Sequence, residues 1–155
     1  EVDSNGNVWF VERGGGRLGL LDPIEEKISE LGFLGEGEEL REIALDSADR
    51  VWFTSSGEQG LGVMDPSSLD VTRYRVPSEL SNPSAIAVDF GDRVWIADKE
   101  SLLVARFAPK TRRFRLFLPP TADGGVGSLA VDTSGVIWFT NPESDRIGRL
   151  EDSGQ

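Results

Sequence analysis

The four tryptophans of the chain, Trp9, Trp52, Trp95 and Trp138, follow one another at steps of 43 residues. The same step carries Asp3, Asp46, Asp89 and Asp132, then Val8, Val51, Val94 and Ile137, then Phe10, Phe53, Ile96 and Phe139. Leu18, Leu61, Val104 and Ile147 form another column, followed by the turns Asp22-Pro23, Asp65-Pro66 and Ala108-Pro109. No insertion disturbs the phase. A period of this length, held in register, marks a supersecondary unit that buries its faces only by stacking on copies of itself. The 155 residues hold about 3.6 units, approximately 1–40, 41–83, 84–126 and 127–155, in a single domain or part of one.

Each unit reads as four short strands. The first lies at 85–89, with copies at 42–46 and 128–132. The second lies at 94–97 and recurs from Val8, Val51 and Ile137. The third covers 61–64, 18–21, 102–107 and 146–150, and the fourth 71–76, 27–31 and 113–118. Ser4-Asn5-Gly6 and Thr133-Ser134-Gly135 supply the tight turn between the first two strands. The second strand is apolar at consecutive positions, as expected of a sheet covered on both faces. Charges in Thr72-Arg73-Tyr74-Arg75 and Arg112-Arg113-Phe114-Arg115 suit a solvated outer edge. Ile24, Ile28 and Leu31 have helical spacing, but the repeat phase aligns this stretch with a strand-forming one at 67–76. The expected fold is all-β: a β-propeller of four-stranded antiparallel blades, with about 3.6 blades present as a partial or assembly-completed ring.

Composition narrows the chemistry. Sixteen basic against 27 acidic residues leave a net charge of −11, which disfavours nucleic acid and anionic membrane as partners. No apolar run approaches the roughly 18 residues of a membrane-spanning helix. No targeting segment is visible, so a soluble protein is expected, its compartment open; a first residue of Glu1 suggests a processed product or an excised piece. Absence of cysteine removes disulfides, thiol nucleophiles and zinc–thiolate sites. Absence of histidine removes the commonest metal ligand and the usual acid–base group of neutral pH.

Ser128-Leu129-Ala130-Val131-Asp132, Gly135, Ile137-Trp138-Phe139-Thr140 and Arg146-Ile147-Gly148-Arg149-Leu150 make up one unit, and Val51-Trp52-Phe53-Thr54 with Leu61-Gly62-Val63-Met64-Asp65-Pro66 another. This pattern resembles the repeat of the virginiamycin B lyase (streptogramin lyase) family of β-propellers, to which the NHL and gluconolactonase-like groups are related. The resemblance implies a ring usually closed by seven blades and a ligand site at one mouth of its channel. It also implies an elimination that opens a cyclic depsipeptide with histidine as acid–base and a magnesium ion. The present chain carries fewer than four blades and no histidine. It is therefore expected to be a non-catalytic module that binds a ligand or partner, or builds an assembly by self-association or completion with other blades. No cofactor is expected, magnesium entering only if the chain is lyase-like. One alternative is part of a lyase whose catalytic histidines lie outside this chain. Another is a gluconolactonase-like metal hydrolase, which needs a carboxylate cluster in the channel.

Mouth residues follow from the phase. The position three after each tryptophan holds Glu12, Ser55, Asp98 and Asn141, with Lys99 beside Asp98. Loops entering the inner strands contribute Arg41, Ser84 and Gly127, in the column where the resemblance places a catalytic histidine. Glu12, Arg41, Ser55, Asp98, Lys99 and Asn141 are the ligand-binding candidates. The plainer role for Glu12, Asp98 and Asn141 is satisfying backbone groups at the start of a loop. The aspartate column hints at calcium in Asp3-Ser4-Asn5-Gly6-Asn7, but glycine stands fourth rather than sixth and no glutamate stands twelfth. Acceptance of turn amides explains it better, and no metal site is expected. The tryptophan column reads as core rather than a ligand platform, and Gly14-Gly15-Gly16 as a rim loop. Residues 22–42 hold eight acids and two bases, whereas 99–115 hold six bases and one acid. Solvated outer strands are the simple explanation; a salt-sensitive head-to-tail contact between copies is the sharper one.

Overall fold

A computed structural model describes residues 1–12, 15–33, 39–56, 59–119 and 124–152. The strands are β1 (Val8–Glu12), β2 (Arg17–Asp22), β3 (Lys27–Phe33), β4 (Leu40–Leu45), β5 (Val51–Ser55), β6 (Leu61–Met64) and β7 (Val71–Tyr74). They continue as β8 (Pro83–Val88), β9 (Val94–Asp98), β10 (Val104–Ala108), β11 (Arg113–Phe117), β12 (Ser128–Val131), β13 (Ile137–Asn141) and β14 (Arg146–Leu150). Each sheet is an antiparallel meander in chain order: β1-β2-β3, β4-β5-β6-β7, β8-β9-β10-β11 and β12-β13-β14. The chain is thus an all-β propeller segment, with two four-stranded blades between two three-stranded ones. Residues 23–26 form a turn and 27–33 a strand, so the blade phase outweighs the helical spacing of Ile24, Ile28 and Leu31. No helix among the described residues is long and apolar enough to cross a membrane.

One carboxylate organises each inner hairpin. Oδ1 of Asp46 accepts the amides of Ala48 and Arg50 at 3.0 and 3.1 Å, closing the turn. Its Oδ2 accepts the Nε1–H of Trp52 at 2.8 Å. Asp3, Asp89 and Asp132 repeat the arrangement with Trp9, Trp95 and Trp138 at 3.0, 2.8 and 2.8 Å. Sequence reasoning anticipated the amides but not the indole. Burying an indole leaves one donor to satisfy, and the aspartate six residues earlier does so. The bond from Trp138, followed by the Val136 amide, holds the Asp132 carboxyl below the ordinary 3.8. Burial raises that of Asp3, but the bonds from Trp9, Asn7 and Asn5 outweigh it and the net direction is down.

Hairpins of successive blades also grip one another. The amide and hydroxyl of Ser47 donate to Asp92 at 2.9 and 2.8 Å, and Ser4 likewise donates to Asp49 through both groups. Asp49 and Asp92 both adopt φ of +57° at the turn position held by Gly6 and Gly135 in the other hairpins. The third junction has Phe90 and Gly135 in the equivalent places, and Phe90 is left exposed.

The apolar clusters lie between blades. Trp9 and Leu18 pack with Ile43, Val51 and Phe53; Trp52 and Val63 with Ile86, Ile96 and Phe107; Trp95 and Val104 with Leu129, Ile137 and Phe139. Covered on both sides, β5 and β9 are buried at every position. In β13 burial alternates, because only one face has a neighbour among the described residues. Within the blades, Phe10, Phe53 and Phe139 sit opposite Gly19, Gly62 and Gly148, while Ile96 sits opposite Ala105. A Cβ on Gly62 would run into the Phe53 ring. Ring and methyl therefore share one fixed volume.

This exchange makes Gly62→Ala an overpacking substitution, costing about 2 kcal/mol. Adding Phe53→Ile reproduces the third blade's pair and should recover most of that loss, although Phe53→Ile alone leaves a cavity and costs about 2 kcal/mol. Urea denaturation of the two single variants and the double variant checks the prediction; simple addition of the two losses contradicts it.

Candidate functional site

Antiparallel pairing of Leu40 with Ser55, Pro83 with Asp98 and Ser128 with Thr140 brings the starts of the inner strands and the ends of the second strands to one rim. Arg41 and Ser84 lie within β4 and β8 rather than in the preceding loops, because both strands begin earlier than the sequence suggested. Both residues sit at a register shift, between Leu40 and Ile43 and between Pro83 and Ala85. Such bulges re-aim side chains at sheet edges.

Arg41, Ser84 and Lys99 meet around a concavity of about 330 Å3, completed by Glu42, Gly127 and Pro142. An adjoining concavity of about 630 Å3 shares Arg41 and Lys99 and adds Asn82, Glu100, Gly124 and Glu143. Arg41 pairs with Glu39 at 3.3 Å and donates to Asn82 at 3.5 Å, while its buried Nε has no protein partner. The buried Oγ of Ser84 is also without one. Lys99 is exposed, and the backbone beside it receives Gly125, where a Cβ would strike the Lys99 carbonyl. A wider hollow of about 710 Å3, lined by Arg75, Pro77, Leu80 and Phe114 at the outer strands, takes in none of the candidates.

Other candidates serve the rim's backbone. Asp98 is fully buried and accepts the amides of Asn82, Glu100 and Ser101 at 2.7, 2.7 and 2.9 Å. Asn141 donates to the Gly124 carbonyl and accepts the Ser144 amide, both at 3.3 Å. Ser55 is buried at the end of β5, its hydroxyl unpartnered, and lines neither concavity. Glu12 ends β1, half-buried beside Gly15, and is likewise apart from the Arg41–Lys99 group. Gly14 lies outside the described residues. Sequence reasoning missed Asn82, Glu100 and Glu143, because their loops differ from repeat to repeat. The Pro after Asn82 was the available signal, since it starts the bulged strand.

Chemically, the rim offers two cations, hydroxyls and carboxylates, a set suited to holding carbonyl or carboxylate groups. No histidine is present to move a proton near neutral pH. Among the described residues no three Asp, Glu, His or Cys side chains converge so as to hold a metal ion. These residues therefore do not by themselves build the magnesium site implied by the family resemblance, nor a carboxylate cluster.

Comparison with known proteins follows the repeat. Selenomethionine-substituted virginiamycin B lyase from Staphylococcus aureus superposes with a TM-score of 0.87 at 25% identity, over 100% of this chain and 52% of that one. A catalytically inactive form of the Staphylococcus aureus enzyme, crystallised with quinupristin, gives 0.86 at 25% identity over 100% and 52%. A streptogramin B lyase gives 0.85 at 22% over 100% and 51%. The chain is similar to these propellers throughout, and it spans about half the length of the lyases it matches. No protein-family model matches it, and no curated protein does.

Asp98 and Lys99, neighbours in sequence, should separate in their effects. Asp98→Ala orphans three amides and should cost about 3 kcal/mol. Lys99→Ala should stay within about 0.5 kcal/mol of the parent. Urea midpoints of the two variants test this; equal losses would contradict the division of roles.

Proposed function

We propose that this chain is a non-catalytic module of a larger propeller, completed by further blades and binding a polar ligand at the Arg41–Ser84–Lys99 rim. Trp138 carries the reading. Trp9, Trp52 and Trp95 are 3%, 1% and 0% exposed under the following blade, whereas Trp138 is 39% exposed and Ile147, on the same blade, 73%. An indole and an aliphatic side chain left in water on a sheet built for stacking favour a covering partner. Rim cations, a buried serine hydroxyl and a buried arginine Nε without protein partners support ligand binding.

Likeness to the virginiamycin B lyases supports a second reading, in which these blades are part of a lyase-like enzyme. Its acid–base group would then come from blades outside this sequence, because none here has histidine. Opening of quinupristin by the chain completed with histidine-bearing lyase blades, and not by the 155-residue chain alone, would favour that reading over a non-catalytic module.

Sedimentation of the purified chain tests the uncovered face. The expected result is association that rises with concentration and weakens in the Trp138→Glu variant. A well-folded monomer at every concentration would overturn the proposal.

A further inference from the structure

Three arginines of the third blade converge on one carboxylate of the fourth. Arg106 Nη1 pairs with Asp152 Oδ2, and Arg93 and Arg115 approach the same carboxylate at 3.4 and 3.3 Å. The Asp152 side chain is only 4% exposed. Arg106 stands opposite Trp95 and Arg115 in the sheet, and its guanidinium lies 5.9 Å from the centre of the Trp95 ring. Burial first, then Arg93 and Arg115, press the Arg106 guanidinium down from its ordinary value, so this face needs an anion. The expectation of solvated outer strands is thereby corrected for Arg106 and Arg115. Their charges turn into the blade interface, because their register places them in the row of Trp95. Lys110, Arg112 and Arg113 do remain exposed. In the acidic stretch, Glu36 and Glu38 lie outside the described residues.

The repeat shows when this contact is used. In the column of Arg106 the earlier blades carry Leu20 and Val63, and the blade stacked on each carries Pro66 and Pro109 where the fourth carries Asp152. An apolar residue thus goes with proline, and arginine with aspartate. The fourth blade again carries arginine: Arg149 is paired in register with Trp138, as Arg106 is with Trp95. Arg149 is exposed; among the described residues it pairs with the equally exposed Glu151 of its own blade at 3.0 Å, and its charge also reaches the Asp132 carboxylate.

We infer that the partner covering Trp138 is a blade of the same repeat that bears an acidic side chain at the position of Asp152, aimed at Arg149. The inference rests on the proposal that the Trp138 face is covered. Blade one of a second copy brings Pro23 to that position, so copies of the chain can cover the Trp138 face only weakly, at raised concentration, and without the charge match. Charge decides the match because a guanidinium buried on an indole without an anion loses its hydration uncompensated.

The test repeats residues 110–152 directly after Asp152, which continues the phase by one blade. The added copy of Trp138 is changed to phenylalanine, so that Trp138 itself stays the one accessible indole. Two forms are made, one keeping the added aspartate and one with proline there, each with Arg149 or Arg149→Leu. Acrylamide quenching of fluorescence reads the burial of Trp138. With Arg149, the aspartate blade should lower accessibility by roughly an order of magnitude, from 39% exposure toward the 0–3% of the other three, and the proline blade should not. With Arg149→Leu the preference should reverse. Equal burial by both blades overturns the charge match while leaving the covered face intact. Burial by neither blade, on either background, overturns the covered face itself.

Discussion

The bond between an aspartate carboxylate and an indole six residues later holds this architecture in phase. It joins a turn to a core residue, so the hairpin and the apolar face of each blade are fixed by one side chain. Oδ1 closes the turn on two amides and Oδ2 takes the tryptophan donor. A wide aromatic surface can then be buried without an orphaned N–H. Once the indole is fixed, the next blade has a defined surface to pack on. The four copies differ by only 0.2 Å in the length of this bond, from 2.8 to 3.0 Å.

Stacking supplies the rest. Trp9, Trp52 and Trp95 are buried by the succeeding blade, and Phe53, Ile96 and Phe139 on the opposite faces by the preceding one. Because a blade presents different faces to its two neighbours, the stack has a direction. The rim follows from the same geometry: strand ends with bulges at Arg41 and Ser84 arrive together, while Asp98 and Asn141 bond to the loop backbone there. Asp98 and Asn141 thus tie down loop backbone at the rim while the side chains there vary from repeat to repeat, which is where ligand selectivity resides in proteins built from repeats.

Much of this was readable from spacing alone. Strands, turn positions and the two-sided burial of Val51-Trp52-Phe53 all repeat with the period, so one sequence carries several readings of each. The indole bond was missed because it passes between side chains across a hairpin, although the constant Asp-to-Trp distance was its trace. Arg106 was misplaced for a different reason. Its partner lies in another blade, and only the joint change of Val63 to Arg106 and Pro109 to Asp152 reveals the contact. Arg41 and Ser84 were found by column but put in loops, since a bulge leaves no mark in a hydrophobic pattern. Asn82, Glu100 and Glu143 fall in stretches where the repeats differ, and a periodic pattern is silent there.

The central claim is that an aspartate-bound indole is sealed by the next blade in three places and left uncovered in the fourth. Hydrogen exchange of the indole N–H groups, followed by NMR with each tryptophan assigned, measures this directly. Trp9, Trp52 and Trp95 should exchange only with unfolding of the blades, and Trp138 far faster than any of them. Four indoles exchanging at one common rate would contradict it.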